Sequence, residues 1–212
     1  MRIDVWSDLV CPWCYIGKRR LEHALAQIPN AGAIEIVHRS FQLNPSAPMG
    51  TTSRRRDYLM AKYGWSAAKA LQIDTDMEQR AAADGLEYHL SENGLTGNTL
   101  DAHRLVHLAR ERGQQDAVVE RFFRGYFTEQ RSLFDAESLV ALAADAGLDA
   151  DDARRVLDGD DYADAVMADV NDAQALGVSG VPFFVFERRL GLSGAQPVEA
   201  FVDALTQAAA LE

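Results

Sequence analysis

The spacing of apolar residues changes along this chain, and the changes divide it into three parts. At the start, Ile3-Asp4-Val5-Trp6 reads as a short strand and Ser7 to Val10 as the loop behind it. From Cys11 the period lengthens. Tyr15, Ile16, Leu21, Ala24, Leu25 and Ile28 fall at roughly helical spacing until Pro29-Asn30-Ala31-Gly32 ends the run. Ile34-Glu35-Ile36-Val37-His38, with its β-branched residues, then reads as a buried strand. A strand, a helix and a strand of these lengths form a βαβ unit whose strands run parallel.

The middle part lacks strand signals. The pattern predicts helices over Ser53–Lys62, Ser66–Asp84, Thr99–Arg112, Gln115–Phe127, Ala136–Ala146 and Asp161–Leu176, punctuated by glycines such as Gly64, Gly113 and Gly147. Strand character returns at Val181-Pro182-Phe183-Phe184-Val185-Phe186. Arg189-Leu190-Gly191-Leu192 is placed to pair with it through a tight turn near Glu187-Arg188. Pro197 to Leu211 forms a last amphipathic helix with proline in its first turn. The expected organisation is an α/β domain of residues 1–45 and 177–212, with an all-helical insertion, residues 46–176, between its βαβ and ββα halves. The insertion is expected to cover the sheet and one rim of the active site.

Composition narrows the functional classes. Of 212 residues, 48% are hydrophobic and 25% charged, as in an ordinary soluble globular protein. No run approaches the ~20 apolar residues a membrane span needs, and no signal peptide precedes Ile3; read as a full product, the chain is expected in the cytoplasm. A net charge of −11 argues against nucleic acid as a partner, because phosphate contacts need clustered Lys and Arg. The stretch from Asp145 to Asp172 holds ten Asp against Arg154 and Arg155, which reads as a solvated helical face.

The chain has two cysteines, Cys11 and Cys14. In a reducing compartment a close pair is more often redox-active or metal-binding than structural. Cys11-Pro12-Trp13-Cys14 stands where a strand gives way to a helix. A helix N-terminus carries about half a positive charge and free N–H groups, which favour a thiolate at Cys11. Pro12 suits the first turn, where its missing N–H costs nothing. Cysteines three apart share a helix face and are close enough to bridge. Cys11 is thus the candidate nucleophile, Cys14 the resolving thiol, and Trp13 a flat contact for substrate. A structural zinc would need four ligands, two of them from His or carboxylates here, and an inert buried pair is the plainer alternative. No metal site is expected.

The second signal is Gly177-Val178-Ser179-Gly180-Val181-Pro182, directly before a strand. A cis Val181–Pro182 bond would turn the Val181 backbone toward the cysteines, where it could pair with an extended peptide or glutathione. Alone, a trans proline at a strand start is the commoner case; the cysteine pair reverses that.

Ser7-Asp8-Leu9-Val10-Cys11-Pro12-Trp13-Cys14-Tyr15-Ile16-Gly17 resembles the DsbA-like thioredoxin family, and specifically its cytoplasmic FrnE-like branch. Gly177 to Pro182 resembles that family's cis-proline loop, and Phe41-Gln42-Leu43-Asn44-Pro45 and Asn98-Thr99-Leu100-Asp101-Ala102-His103-Arg104-Leu105 match it in place. The resemblance covers essentially the whole chain. It implies a thioredoxin fold, a catalytic Cys11, a resolving Cys14, a cis Pro182 and disulfide reductase, oxidase or isomerase activity on protein or small-molecule thiols and disulfides. No permanently bound cofactor is implied; glutathione is the candidate co-substrate. Periplasmic DsbA-type oxidants have His where this chain has Trp13, so a weaker oxidant is expected. The second cysteine pair of some FrnE-like proteins is absent, which excludes an internal relay.

Other residues carry weaker signals. His103 and His107, at i and i+4, could hold a metal, though ordinary helix histidines are commoner at this spacing. Asp8 fits a turn cap better than a proton shuttle, and Arg54-Arg55-Arg56 a solvated face better than an anion site. Asn98 and Arg104 line the cleft only by resemblance. Two other functions stay open: a glutathione-dependent isomerase or transferase of small aromatic molecules, as in the hydroxychromene-carboxylate isomerase and kappa-class groups, and a non-catalytic peptide-binding module. A homodimer through the helical insertion is compatible with the sequence.

Overall fold

A computed structural model describes residues 1–29, 31–90 and 94–210. Asn30, at the end of the first predicted helix, and Leu211, at the end of the last, lie outside the described residues. In chain order the elements are β1 (Arg2–Ser7), α1 (Pro12–Leu25), β2 (Glu35–Ser40), β3 (Ser53–Arg54), α2 (Arg55–Tyr63), α3 (Ala67–Ala83), β4 (Leu95–Thr96), α4 (Leu100–Glu111), α5 (Gln115–Phe127), α6 (Ala136–Asp145), α7 (Ala150–Asp158), α8 (Ala163–Ala175), β5 (Phe183–Phe186), β6 (Leu190–Ser193) and α9 (Val198–Ala209). They fall into two compact units, one of Met1–Leu43 with Asp164–Glu212 and one of Asn44–Ala163.

The first unit is built on a four-stranded sheet in the order β2-β1-β5-β6. β1 runs parallel to β2, from Arg2 opposite Glu35 to Ser7 opposite Ser40, and antiparallel to β5. β5 and β6 form the expected hairpin. Glu187 and Arg188 turn the chain with φ of 50° and 57°, and the Arg189 N–H closes the turn on the Phe186 carbonyl at 3.0 Å. Two left-handed residues are what a two-residue hairpin turn requires. This is the thioredoxin arrangement of βαβ followed by ββα, interrupted by helices.

Strand alternation sends side chains to opposite faces, and the two faces have different covers. Ile3 and Val5 of β1 and Phe184 and Phe186 of β5 share one face, under Leu21 and Ala24 of α1 and Phe201, Ala204, Leu205 and Ala208 of α9. Phe184 and Phe201 meet edge to face at 4.8 Å. Each fully buried side chain of this size contributes about 1.5–3 kcal/mol, so this face holds the unit together. Trp6 and Val185 point the other way and pack with Ala173 of α8 and Val178.

Polar bonds fix α8 to this unit, although its apolar spacing resembles that of the helical middle. The buried Asp169 carboxylate accepts the Ser40 N–H at 2.9 Å and pairs with Arg39 at 2.8 Å. Its carbonyl accepts the Trp6 indole N–H at 2.9 Å. Arg39 also reaches Asp4 at 2.8 Å. Both buried carboxylates are therefore paired, the condition under which such charges are tolerated.

The second unit contains α2 to α7 and a two-residue ribbon, β3 with β4. The sequence pattern did not separate α7 from the acidic run. It forms because Asp149 caps it, accepting the Asp151 and Asp152 N–H groups at 3.0 and 2.9 Å, and because Asp151 and Asp152 complement the positive end of the helix. The Arg54-Arg55-Arg56 triplet is not a uniformly solvated face. Arg55 is buried and, with Arg56, pairs with the buried Asp74 of α3, tying α2 to α3. Among the described residues no helix is long and apolar enough to cross a membrane.

Candidate active site

Cys11 ends the loop after β1 and stands at the N-cap of α1, with extended backbone (φ −87°, ψ 113°) and Pro12 behind it in the first turn. Its N–H bonds to the Asp8 carbonyl and its own carbonyl accepts the Cys14 N–H, both at 3.0 Å. An N-cap side chain is normally an oxygen that accepts helix N–H groups. Here it is a sulfur that makes no such bond, so the electropositive end of α1 faces a group capable of carrying negative charge.

Both cysteines are free thiols. Exposure barely separates them, at 5% for Cys11 and 2% for Cys14. Burial pushes the Cys14 thiol well above the ordinary cysteine value, and the hydrogen bond and charge of Cys11 push the same way. A hydrogen bond with the Asp8 backbone opposes them, and the Asp8 charge adds a smaller upward push. Cys14 is thus held as a protonated thiol against its neighbour.

The distant loop arrives beside them. The Val181–Pro182 peptide is cis, and the Cys11 thiol donates to the Val181 carbonyl at 3.6 Å. Val181 is half-buried against the Trp6, Val178 and Val185 cluster, and Pro182 is buried. Pro12 and Trp13 are half-buried. The geometry thus gathers Cys11, Cys14 and Val181 around one sulfur.

Two features escaped the sequence reading. Gly17 lies one turn beyond Cys14, and a Cβ there would stand 2.9 Å from Pro182 Cγ and 3.1 Å from Phe184 Cζ. Only hydrogen lets α1 approach the proline loop this closely; a glycine inside a predicted helix was the available signal. Asp8, expected to cap a turn, instead accepts the Leu43 N–H at 2.7 Å with its buried carboxylate and so holds the segment leaving β2.

Of the weaker candidates, Arg104 and Asn98 make bonds that tie the second unit together. Arg104 is buried on α4, and its guanidinium bonds the carbonyls of Val156, Gly159 (2.6 Å) and Asp161 (2.8 Å) and the Asp101 carboxylate (2.8 Å), closing the end of α7. Asn98 donates to the Ala47 carbonyl at 2.8 Å and accepts the Leu100 N–H at 2.9 Å. His103 and His107 are buried on α4, and His107 stacks on Tyr162. Among the described residues no three His, Cys, Asp or Glu side chains come together as a metal site.

A paired thiol at a helix start, on a βαβ–ββα sheet and beside a cis-proline loop, defines a thiol–disulfide oxidoreductase of thioredoxin type. Residues 2–206 match the DSBA-like thioredoxin domain, and the chain belongs to that family. It is similar along its whole length to the probable DsbA oxidoreductase of Streptomyces coelicolor, with 48% identity, 91% of that chain covered and a TM-score of 0.95. The uncharacterized protein YwbO of Bacillus subtilis (strain 168) is 25% identical over 191 residues, 87% of this chain and 86% of that protein. The cytosolic disulfide reductase DsbM of Pseudomonas aeruginosa shares the fold, with full coverage of both chains, 17% identity and a TM-score of 0.68.

Proposed function

We propose that this enzyme is a cytoplasmic disulfide reductase or isomerase of the FrnE-like branch, with Cys11 as nucleophile and Cys14 as resolving thiol. The observation that carries the reading is the position of the Cys11 sulfur, at the start of α1 and between Cys14 and the Val181 carbonyl. The cytoplasmic assignment draws support from the cytosolic DsbM, and from the presence of both cysteines in one pair, which leaves none for a structural disulfide.

The Cys11 thiolate attacks one sulfur of a partner disulfide, forming a mixed disulfide and releasing the other partner sulfur as a thiolate. Cys14 then loses its proton and attacks the Cys11 sulfur. The Cys11–Cys14 disulfide closes and the second partner thiol leaves. Two electrons pass to the partner, and a thiol reductant, with glutathione the candidate co-substrate, restores the pair. The positive end of α1 stabilises the Cys11 thiolate that makes the first attack. Pro12 and Trp13 flank the substrate on one side, and the Val181 backbone with Pro182 receives it on the other in the manner of an added strand. Trp13, where strong oxidants carry His, favours reduction over oxidation.

A glutathione-dependent isomerase or transferase would need only the first sulfur, and the Cys11–Cys14 hydrogen bond favours the redox role. The test is reduction of a disulfide-linked peptide by the full chain. Cys11→Ser abolishes turnover on this account and Cys14→Ala reduces it to a single adduct; full glutathione-dependent isomerase activity in Cys14→Ala would favour the other reading.

A further inference from the structure

The second unit holds a cavity of about 320 Å³ that the redox chemistry does not use. The loop of residues 44–53, Tyr58 of α2, Thr96 of β4 and Gly97 enclose it. Several bonds fix these walls. The Asn98 side chain donates to the Ala47 carbonyl at 2.8 Å and to the Pro45 carbonyl at 3.3 Å, which pins the loop. Ser53 pairs with Thr96 across the β3–β4 ribbon. Gly97 lets Thr51 come close, since a Cβ there would stand 2.9 Å from the Thr51 carbonyl oxygen and 3.0 Å from the Phe134 ring. Lys62 donates to the Tyr58 hydroxyl at 3.2 Å and so steadies that side chain. A cavity held in this way is formed before anything enters it, as ligand sites usually are.

The chemistry of the lining selects the occupant. Thr51, Thr52, Ser53 and Thr96 each bring a hydroxyl, and among the described residues none of the four hydroxyls has a hydrogen-bond partner. Thr96 is only 9% exposed. A buried hydroxyl without a protein partner takes its bond from whatever fills the space beside it. None of the described residues that line the cavity is charged, so an ionic occupant would shed its hydration without meeting a counter-charge. A hydroxyl donates and accepts at once, and therefore matches another hydroxyl in either role. The Tyr58 ring adds an apolar surface for the carbon face of such a molecule.

We propose that this cavity is a binding site for a small neutral polyhydroxyl molecule, a monosaccharide or a cyclic polyol, held by the hydroxyls of Thr51, Thr52, Ser53 and Thr96 beside Tyr58. The site involves no sulfur and does not depend on the thiol–disulfide reading of Cys11 and Cys14.

The test titrates the full chain with D-glucose and with myo-inositol and follows the backbone amide NMR signals. Saturable shifts are expected at Ser53, Thr96 and Gly97. D-gluconate and D-glucosamine, similar in size but charged, should bind about tenfold more weakly or worse. Thr96→Val keeps the branched side chain and removes its hydroxyl, which should weaken glucose or inositol binding about fivefold, the worth of one hydrogen bond. Thr51→Ala, at an exposed position, gives the same reading should Thr96→Val unfold. Thr75→Val, on α3, removes a hydroxyl that bonds the Leu71 carbonyl and should leave binding unchanged. Saturation by either neutral probe supports the site, and which of the two binds tells a sugar from a polyol. A cavity that holds water alone, seen as no saturable shift with either probe, overturns the proposal. So do charged probes that bind as well as glucose and inositol, and Thr96→Val and Thr51→Ala variants that bind like the wild type.

Discussion

Gly17→Ala probes how closely the redox helix must approach the proline loop. Glycine in a helix interior costs about 1 kcal/mol relative to alanine, so on propensity alone the variant gains stability. Packing opposes that gain. The added methyl would lie 2.9 Å from Pro182 Cγ and 3.1 Å from Phe184 Cζ, where ordinary carbon contacts are about 3.5–4.0 Å. Neither neighbour yields easily, since Pro182 is a buried ring and Phe184 is fully buried against Phe201. Overpacking of this kind costs about 1–3 kcal/mol, which leaves a net loss of roughly 0–2 kcal/mol. The relief available is a shift of α1 away from Pro182 by several tenths of an ångström, and with it a longer reach from Cys11 to the Val181 backbone. Since about 1 Å of misplacement can cost a hundredfold in rate, a shift of half that size corresponds to roughly tenfold in kcat/KM for peptide disulfide. Urea unfolding and peptide-disulfide turnover measure the two effects. A variant about 1 kcal/mol more stable than wild type, with undiminished turnover, would refute the packing argument.

Other perturbations follow from the same structure. Asp169→Ala leaves Arg39 with one carboxylate and the Ser40 N–H without its acceptor, at a cost of about 3 kcal/mol or ~6–12 °C in Tm; calorimetry showing an unchanged Tm would contradict it. Arg104→Lys cannot span three carbonyls and the Asp101 carboxylate at once, so thermal unfolding should register a loss of about 2–4 kcal/mol, and a loss within error of zero would remove the role given to Arg104. Because burial holds the Cys14 thiol above its usual range, its thiolate is scarce at neutral pH and increases as pH rises. Release of a partner from a Cys11 mixed disulfide should therefore accelerate by up to tenfold per unit between about pH 6 and 8, and a flat stopped-flow profile would count against it.

The fold was legible where one period dominates. Ile3 and Val5, the spacing from Tyr15 to Leu25, and Phe183 to Phe186 each carry a clear signal, and their order prescribes the βαβ–ββα core. The cysteine pair was legible because two cysteines three apart at a strand-to-helix junction have few other uses. What the sequence hid depends on partners distant along the chain. Asp169 is one Asp in an acidic run until Arg39 and Ser40 come to it from β2. Asp8 is a turn residue until Leu43 presents its N–H, and Arg55 is one of three arginines until Asp74 engages it. Gly17 looks dispensable until Pro182 arrives from the far end of the chain. In each case the residue's role is set by a contact that no local period records.

The sulfur that attacks first is the central claim, and a trapped adduct tests it directly. Reduced Cys14→Ala protein mixed with a peptide disulfide should accumulate one mixed disulfide per chain, mapped to Cys11 by mass spectrometry, while Cys11→Ala accumulates none and the wild type ends two hydrogens lighter as the closed pair. An adduct on Cys14 in Cys11→Ala, or no adduct on Cys11 in Cys14→Ala, would contradict the account.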